Sequence, residues 1–285
     1  MARVAIVTDS AADLDPASAS ALGITVIPLI VSFGSTSYRA GVDLTTEAFW
    51  ERMTAPDAPF PTTAASSPGT FREAFEGCFT AGADALVCVD VGSTLSGTFK
   101  SAQIARELLP EREIYLVDSR SASMGVGLLA MLGAALAREG VPADAIARTL
   151  EIRVADVEVI VVLDTLEFLR RGGRISGPKA TIGTLLGVKP IISVRDGAVD
   201  TIDRVRTRSR ARERAISFLT SEPIESLAIL HTMSADLEAF SQALLAAVPD
   251  GIDATRVSSQ LIGSSVGPHI GPGAVGAAIL RRRPS

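Results

Sequence analysis

Cysteine, histidine and aromatic residues are scarce in this chain, and each shortage excludes a class of protein. The 285 residues include two cysteines and two histidines. They match neither a structural zinc site nor a disulfide framework, so Cys78 and Cys88 are interpreted as buried thiols. Aromatic residues make up 5% of a chain that is 47% hydrophobic. The cores are therefore expected to consist of Val, Ile, Leu and Ala.

Long apolar runs and a strong net charge are also absent. No apolar run reaches the roughly 18 residues that a transmembrane helix requires. The formal net charge of −5 gives no reason to expect nucleic acid or an anionic membrane as a partner. The first residues lead directly into a strand pattern and do not resemble a secretory signal. We therefore expect a cytoplasmic protein with no nucleic-acid partner and no integral membrane association.

Strand-length apolar runs alternate with helical patterns in the first half of the chain. Strands are predicted at Val4–Thr8, Ile24–Val31, Ala85–Val91 and Ile114–Val117. Helices are predicted from Asp15-Pro16, at Leu44–Met53, Ser67–Phe79, Thr98–Leu109 and Ser123–Arg138, and from Pro142, with a turn-rich stretch at Thr54–Pro68. Nearly continuous apolar strands in this rhythm are typical of a parallel sheet that helices cover on both faces.

The second half of the chain has a different pattern. Asp196-Gly197 lies between two apolar runs and predicts a β-hairpin. Further strands are predicted at Val157–Leu163, Leu227–His231, Thr255–Leu261 and Val275–Leu280. The sequence thus predicts a two-domain α/β protein. Residues 1–157 would form a three-layer α/β/α domain with a mainly parallel sheet, and residues 158–285 an α/β domain with a mixed sheet.

Three motifs with catalytic or nucleotide-binding associations are incomplete. Gly263–Gly267 matches the G-x-S-x-G pattern, but only one histidine follows it and no acid partner is evident. Gly125–Ala130 resembles a dinucleotide fingerprint but begins well after the preceding strand, so its glycines are interpreted as helix-packing residues. Gly172–Lys179 resembles a P-loop, but Pro178 and Ala180 do not fit. No cofactor is therefore expected.

Four polar or glycine-rich segments remain as candidate sites. Gly92–Thr98 offers hydroxyl and backbone N–H groups at a helix start, which suit an anion or form an ordinary cap. Pro61–Pro68 is either a binding segment or a surface loop. His269 lies in a Gly/Pro-rich loop, where a histidine is either functional or incidental. Arg170–Ser176 is either an anion site or a solvated basic loop.

The order of these segments resembles the DegV family. This family comprises bacterial fatty-acid-binding proteins and includes the acyl-carrying subunit of fatty acid kinase. The resemblance covers almost the whole chain. Its motifs here are Ala5–Ser10, Val26–Leu29, Leu95–Phe99, Val117–Ser119, Gly172–Ser176, Lys189–Ile191, the His269 loop and Gly273–Gly276.

The resemblance implies a ligand and the residues that hold it. A long-chain fatty acid would have its carboxylate bound by Thr63, Ser96 and His269, with Gly97 and Thr98 beside them. Its tail would occupy an apolar tunnel, which the small-residue helix Ser123–Ala137 is a candidate to line, although most of that helix is expected to be core. One departure affects the site: the family's Thr-Ser-Gln-Pro motif here reads Thr63-Ala64-Ala65-Ser66.

The resemblance also implies a partner, the catalytic subunit of a fatty acid kinase, which would phosphorylate the bound carboxylate. Arg174 and Arg206 would then contact the partner or the acyl phosphate, or else be solvated surface charges. The protein itself would not be an enzyme. Two alternatives remain open, namely a lipid-responsive regulatory protein and a hydrolase or phosphotransferase with an unrecognised site.

Overall fold

The structure is a computed structural model that describes residues 3–175, 187–249 and 251–283. The strands are β1 Val4–Asp9, β2 Ile24–Ile27, β3 Ile30–Phe33, β4 Thr36–Arg39, β5 Thr62–Ala64, β6 Ala85–Asp90, β7 Glu113–Asp118, β8 Val157–Val162, β9 Lys189–Arg195, β10 Ala198–Val205, β11 Ile224–His231, β12 Val257–Leu261 and β13 Val275–Arg281. The helices are α1 Pro16–Leu22, α2 Thr46–Met53, α3 Pro68–Thr80, α4 Thr98–Glu107, α5 Met124–Arg138, α6 Ala143–Arg153, α7 Glu167–Arg171, α8 Arg208–Leu219, α9 Leu237–Ala247 and α10 Gly267–Ile270.

The first sheet is parallel throughout and has the order β2-β1-β6-β7. The central strand β6 is buried along its length. Val87 and Val89 pack with α5 and α6 on one face, and Leu86 and Cys88 pack with α3 and α4 on the other. Because β1 lies between β2 and β6, the strand order reverses at the β1–β6 boundary. In open α/β sheets the crevice at the carboxyl ends of such strands is where ligands bind.

The second sheet is mixed and has the order β10-β9-β8-β13-β11-β12. Only the β11–β12 pair is parallel among its described strands. Alternate residues of β8 face opposite ways: Val159 and Val161 join the core shared with α5, whereas Ile160 and Val162 join the core beneath α8 and α9. The predicted two-domain α/β architecture is confirmed, and the boundary after residue 157 stays a prediction.

Helix α5 lies between the two sheets and contacts β1 on one side and β8 and β13 on the other. Two glycines allow this close approach. A Cβ at Gly125 would lie 2.8 Å from Val159 Cγ2, and one at Gly127 would lie 2.8 Å from the carbonyl oxygen of Ala12. The glycines of the fingerprint-like segment are thus helix-packing residues, as the sequence predicts.

The predicted hairpin is present at Asp196-Gly197. Both residues have positive φ, 50° and 76°, which a two-residue type I′ turn requires. The Gly197 N–H donates a hydrogen bond of 2.7 Å to the carbonyl oxygen of Arg120. The hairpin tip of the second sheet is thereby held against the loop that follows β7.

Two predictions about local structure were wrong. The single strand predicted at Ile24–Val31 is two strands, because the chain leaves the first sheet at Pro28 and β3 joins a separate antiparallel sheet of order β4-β3-β5. Proline has no N–H to donate to a ladder, which is consistent with this break. The predicted turn-rich stretch Thr54–Pro68 contains the strand β5, which pairs with β3. A strand of three residues is too short to show an alternating pattern.

We predict that Gly125→Ala destabilises the protein by about 1–3 kcal/mol, the usual cost of overpacking a filled core. The added methyl group would lie 2.1 Å from Ser121 Oγ as well as against Val159. Gly77→Ala in α3 is the matched control, since no atom lies within 4 Å of its Cβ position. That change should be neutral or stabilising. Urea unfolding of both variants measures the difference, and equal free energies of unfolding would contradict the packing argument.

Candidate functional site

A cavity of about 120 Å³ lies between the two sheets, where Ala11 and Val91 follow the carboxyl ends of β1 and β6. It therefore occupies the crevice that the reversal of strand order creates. Its wall on the second sheet is aliphatic and consists of Val159, Val161, Ile192, Val194, Val199 and Leu230. Leu29, Leu95 and Ala122 contribute from the opposite side. Such a surface suits an alkyl chain.

The aliphatic wall comes from strand alternation and not from α5. Val159 and Val161 are alternate residues of β8, and their register partners on β9 are Val194 and Ile192. Ser123, immediately before α5, lines the cavity, but no residue of the helix itself is among the lining residues that the structure describes. The buried residues of α5 belong to the core, as the sequence analysis expects of most of this helix, and tunnel lining by the helix stays a prediction.

The polar groups at one end of this cavity are Thr63, Ser96, Arg174 and His269. Thr63 Oγ1 and His269 Nε2 are 2.9 Å apart and hydrogen-bonded, although 206 positions separate the two residues. Ser96 Oγ lies 2.7 Å from Thr98 Oγ1. The fold thus brings the three head-group candidates of the sequence to one cavity.

Each of these side chains is positioned by a different local structure. Thr63 is the middle residue of β5 and pairs with Val31, so its side chain points inward while Thr62 and Ala64 are exposed. Ser96 lies in a turn after β6, where its N–H donates to the carbonyl oxygen of Gly92. Gly97 also lines the cavity, whereas Thr98 is fully buried behind Ser96 and does not line it.

His269 belongs to the short helix α10 and is held in a neutral state. Burial, with a smaller contribution from the nearby Arg174 charge, lowers the pKa of His269 to about 4. Its Nδ1 atom is buried and has no hydrogen-bond partner among the described residues. A Cβ at Gly172 would lie 2.1 Å from that atom. A proton on Nδ1 would be a buried donor without an acceptor, so this geometry favours the tautomer protonated on Nε2.

The two arginines proposed together from the sequence occupy different places. Arg174 lines the cavity, and it donates to the carbonyl oxygen of Leu95 at 3.1 Å and to that of Gly172 at 2.5 Å. Its guanidinium therefore adds positive charge to the polar end. Arg206 is exposed, follows β10 and is not among the lining residues. Ser176, the last residue of the basic segment, and the rest of the P-loop-like segment to Lys179 lie outside the described residues.

Sequence reasoning missed two parts of this site. Gly172 packs against the His269 ring, a contact that the spacing of glycines along a loop does not reveal. The aliphatic wall was also missed, although the alternating apolar residues of β8 and β9 were visible in the sequence. What they face depends on how the two sheets pack, and a strand pattern alone does not specify that.

Residues 3–175, 187–249 and 251–283 contain neither a candidate membrane span nor a candidate metal site. No helix in these ranges is both long and apolar enough to cross a bilayer. The same ranges contain no group of three or more His, Cys, Asp or Glu side chains arranged to hold a metal ion.

Fold and cavity together define a class: a two-domain α/β protein with an aliphatic cavity that is polar at one end. The chain belongs to the DegV family. The family model described as "Uncharacterised protein, DegV family" matches residues 3–282. A DegV domain-containing protein of Caldanaerobacter subterraneus is 34% identical over 280 residues, which cover 97% of this chain and 98% of that one. One from Deinococcus radiodurans is also 34% identical, with the same coverage.

Solved structures of the family have the same fold. The DegV family protein from Thermus thermophilus, described as fatty acid binding, has a TM-score of 0.89 at 31% identity and covers 98% of this chain and 100% of its own. DegV from Bacillus subtilis, described as a fatty acid binding protein, has a TM-score of 0.87 at 28% identity, with coverage of 99% and 100%.

We predict that His269 stays neutral well below the pH at which an exposed histidine protonates. Its pKa of about 4 lies below the ordinary value of 6.5. The stability that His269 contributes is thus fully present above pH 6.5 and is lost as the pH falls through about 4. Because the chain has two histidines, an NMR titration of parent and His269→Gln assigns the imidazole signals directly. A His269 signal titrating near 6.5 would contradict the buried, neutral state.

Proposed function

We propose that this protein binds a long-chain fatty acid, with the alkyl chain in the aliphatic cavity and the carboxylate at Thr63, Ser96 and His269. One observation carries this proposal. Three hydrogen-bonding side chains from distant parts of the chain converge at one end of a cavity that is otherwise mostly apolar. An amphiphile with a small anionic head group and a long apolar tail matches this arrangement.

The polar end can satisfy a carboxylate that leaves water. A buried carboxylate is costly unless it accepts hydrogen bonds. The Thr63 and Ser96 hydroxyls and the His269 Nε2–H are the donors available, and the Arg174 guanidinium supplies a positive charge nearby. In the structure Thr63 and His269 bond to each other, so a carboxylate would exchange that bond for two of its own. Each buried methylene of the tail contributes about 0.8 kcal/mol.

The start of α4 adds to this anion site. Gly97 is the N-cap of α4 and provides no side-chain hydrogen bond. The helix N-terminus carries partial positive charge, which favours an anion beside it. The Thr98 N–H donates to Ser96 Oγ at 3.3 Å. When the Thr98 hydroxyl also donates across the 2.7 Å contact between the two hydroxyls, the Ser96 hydroxyl hydrogen can turn toward a ligand. Thr98 therefore acts behind Ser96 and not directly on the ligand.

The solved relatives support the ligand class. In addition to the Thermus and Bacillus proteins, a family structure from Eubacterium ventriosum is described as a stearic acid-binding protein and has a TM-score of 0.87 at 25% identity. The departure at Ala64-Ala65-Ser66 does not remove a cavity hydroxyl. Ser66 Oγ donates instead to the carbonyl oxygen of Pro28. Ala64 and Ala65 leave the segment beside Thr63 apolar.

We infer further that the protein carries the fatty acid for a separate catalytic subunit of a fatty acid kinase and is not itself an enzyme. The family resemblance supports this partner. The polar end also lies near the surface, since Gly97 is exposed and Arg174 is half-buried. A carboxylate held there is accessible to an ATP-dependent phosphotransferase, whose product would be an acyl phosphate. Arg206, exposed and outside the lining, is the proposed partner contact.

The geometry disfavours the hydrolase alternative. Ser265, the serine of the G-x-S-x-G segment, bonds to Ser10 Oγ at 2.8 Å. His269 bonds to Thr63 instead. A serine nucleophile needs a base within hydrogen-bond reach, and the described residues place no histidine in that relation to Ser265.

We predict that Thr63→Ala, Ser96→Ala and His269→Ala each weaken fatty acid binding by about 1–3 kcal/mol, because each leaves the carboxylate short of a donor. Their effects should be non-additive, since the three side chains share one ligand. Thr62→Ala is the matched control, because its neighbouring hydroxyl on β5 is exposed. Calorimetry with hexadecanoic acid, and mass spectrometry of lipid released from the purified protein, provide the measurements. Unchanged affinity in all three variants would overturn the site.

We predict that Arg206→Ala leaves hexadecanoic acid binding unchanged but slows acyl phosphate formation by a cognate kinase subunit. An exposed charge outside the cavity affects docking of a partner more than ligand affinity. Arg72→Ala is the control, since that exposed arginine lies on α3, which packs on the face of the first sheet opposite α5. A normal phosphorylation rate for the Arg206 variant would remove Arg206 from the proposed interface. Phosphorylation without any partner subunit would contradict the carrier role.

A further inference from the structure

A second concavity adjoins the aliphatic cavity. It is a groove of about 410 Å³ between the Ser10–Asp13 turn, the start of α2 and the segment 260–265. Ser265 lines both the groove and the cavity. This side chain therefore forms part of the wall between the two spaces.

The wall is closed by a hydrogen bond between two serines. Ser10 lines the groove, and its Oγ atom is 2.8 Å from the Oγ atom of Ser265. Ser10 Oγ also accepts the Leu29 N–H at 2.8 Å, so its own hydroxyl hydrogen is available for Ser265. Ser265 is only 6% exposed. Both hydroxyls are satisfied by protein groups, and the pair needs no ligand or water to complete it.

Asp13 holds the same wall through two further hydrogen bonds. Its carboxyl group accepts the Gly263 N–H at 2.9 Å and the Ser123 hydroxyl at 2.6 Å. The turn that carries Ser10 is thereby tied to the segment that carries Ser265. Ala11, from the same turn, faces the cavity. The wall is thus held by hydrogen bonds from both Ser10 and Asp13.

The wall lies close to His269 along the chain. Ser265 precedes His269 by four residues, in the turn that leads into α10, where the Gly267 N–H bonds to the Gly263 carbonyl oxygen. Both Ser265 and His269 line the cavity. With the carboxylate at His269, we therefore expect Ser265 to lie beside the part of the tail nearest the carboxyl group, where the cavity adjoins the groove.

We propose that the Ser10–Ser265 pair is a specificity-determining partition, which closes a side branch and restricts the cavity to fatty acids that are unbranched near the carboxyl group. This inference rests on the proposed fatty acid binding. A methyl branch directed at the partition meets two bonded serines and no free volume, whereas without the partition the same branch extends into the groove. One misplaced methyl or methylene group changes affinity by about 10–200-fold.

The test compares hexadecanoic acid with its 2-, 3- and 4-methyl derivatives by competition binding. The parent should prefer the straight acid over at least one derivative by about 10-fold or more. Ser265→Gly removes the partition and should reduce that ratio to about 3-fold or less, a loss of most of the discrimination expected of one methyl group. Ser264→Gly is the matched control, since Ser264 lines the groove only and gains the same backbone freedom.

The ratio of one variant's affinities for two ligands is insensitive to a general loss of protein stability, because such a loss lowers both affinities alike. If Ser265→Gly does not fold, Ser265→Ala, which removes only the hydroxyl, should still lower the ratio relative to parent and to Ser264→Ala. A Ser265 variant with the parent's preference for the straight acid overturns the partition and leaves the proposed function standing. Failure of the parent to bind hexadecanoic acid overturns the proposed function itself.

Discussion

The close packing of α5 between the two sheets is the constraint on which the rest of the structure depends. Gly125 and Gly127 let the helix approach Val159 and Ala12 within distances that a side chain would prevent. That spacing sets the carboxyl ends of β1 and β6 opposite the valine face of β8. The cavity is the part of this interface that α5 does not fill, and the loops that follow the strands close it.

The sequence predicted the elements of this arrangement better than their relation to one another. The apolar strands and the Asp196-Gly197 turn were visible because their signals are local. The residues of β5 gave no such signal, because pairing with β3 is what makes three residues a strand. Thr63, Ser96 and His269 were identified by resemblance. Only the fold explains why they meet, since each follows from a different pairing or turn.

The crevice is built at an electrostatic cost. Asp9 accepts the N–H groups of Val91 and Ala11, which line the cavity. Burial raises the pKa of Asp9 to about 6 and that of Asp13 to about 7. The contribution of each of these carboxyl groups to the free energy of unfolding is fully present below the ordinary pKa of 3.8. It is lost as the pH rises through 6 to 7. The contribution of His269 to stability has the opposite pH dependence. As the pH rises, stability gained at His269 is therefore offset by stability lost at Asp9 and Asp13.

For the proposed fatty acid ligand, a neutral His269 would favour release as well as binding. A permanently charged imidazole would form a buried ion pair with the carboxylate, and separating such a pair is costly. With a pKa of about 4, the ring instead offers one neutral N–H donor. The carboxylate in turn favours protonation of the ring when it binds, so affinity and protonation are linked. The positive charge comes from Arg174, which the carbonyl oxygens of Leu95 and Gly172 hold at the half-exposed edge of the cavity. A head group bound as proposed would thereby be attracted to the surface end of the cavity, within reach of the proposed partner, while the aliphatic wall would retain the tail.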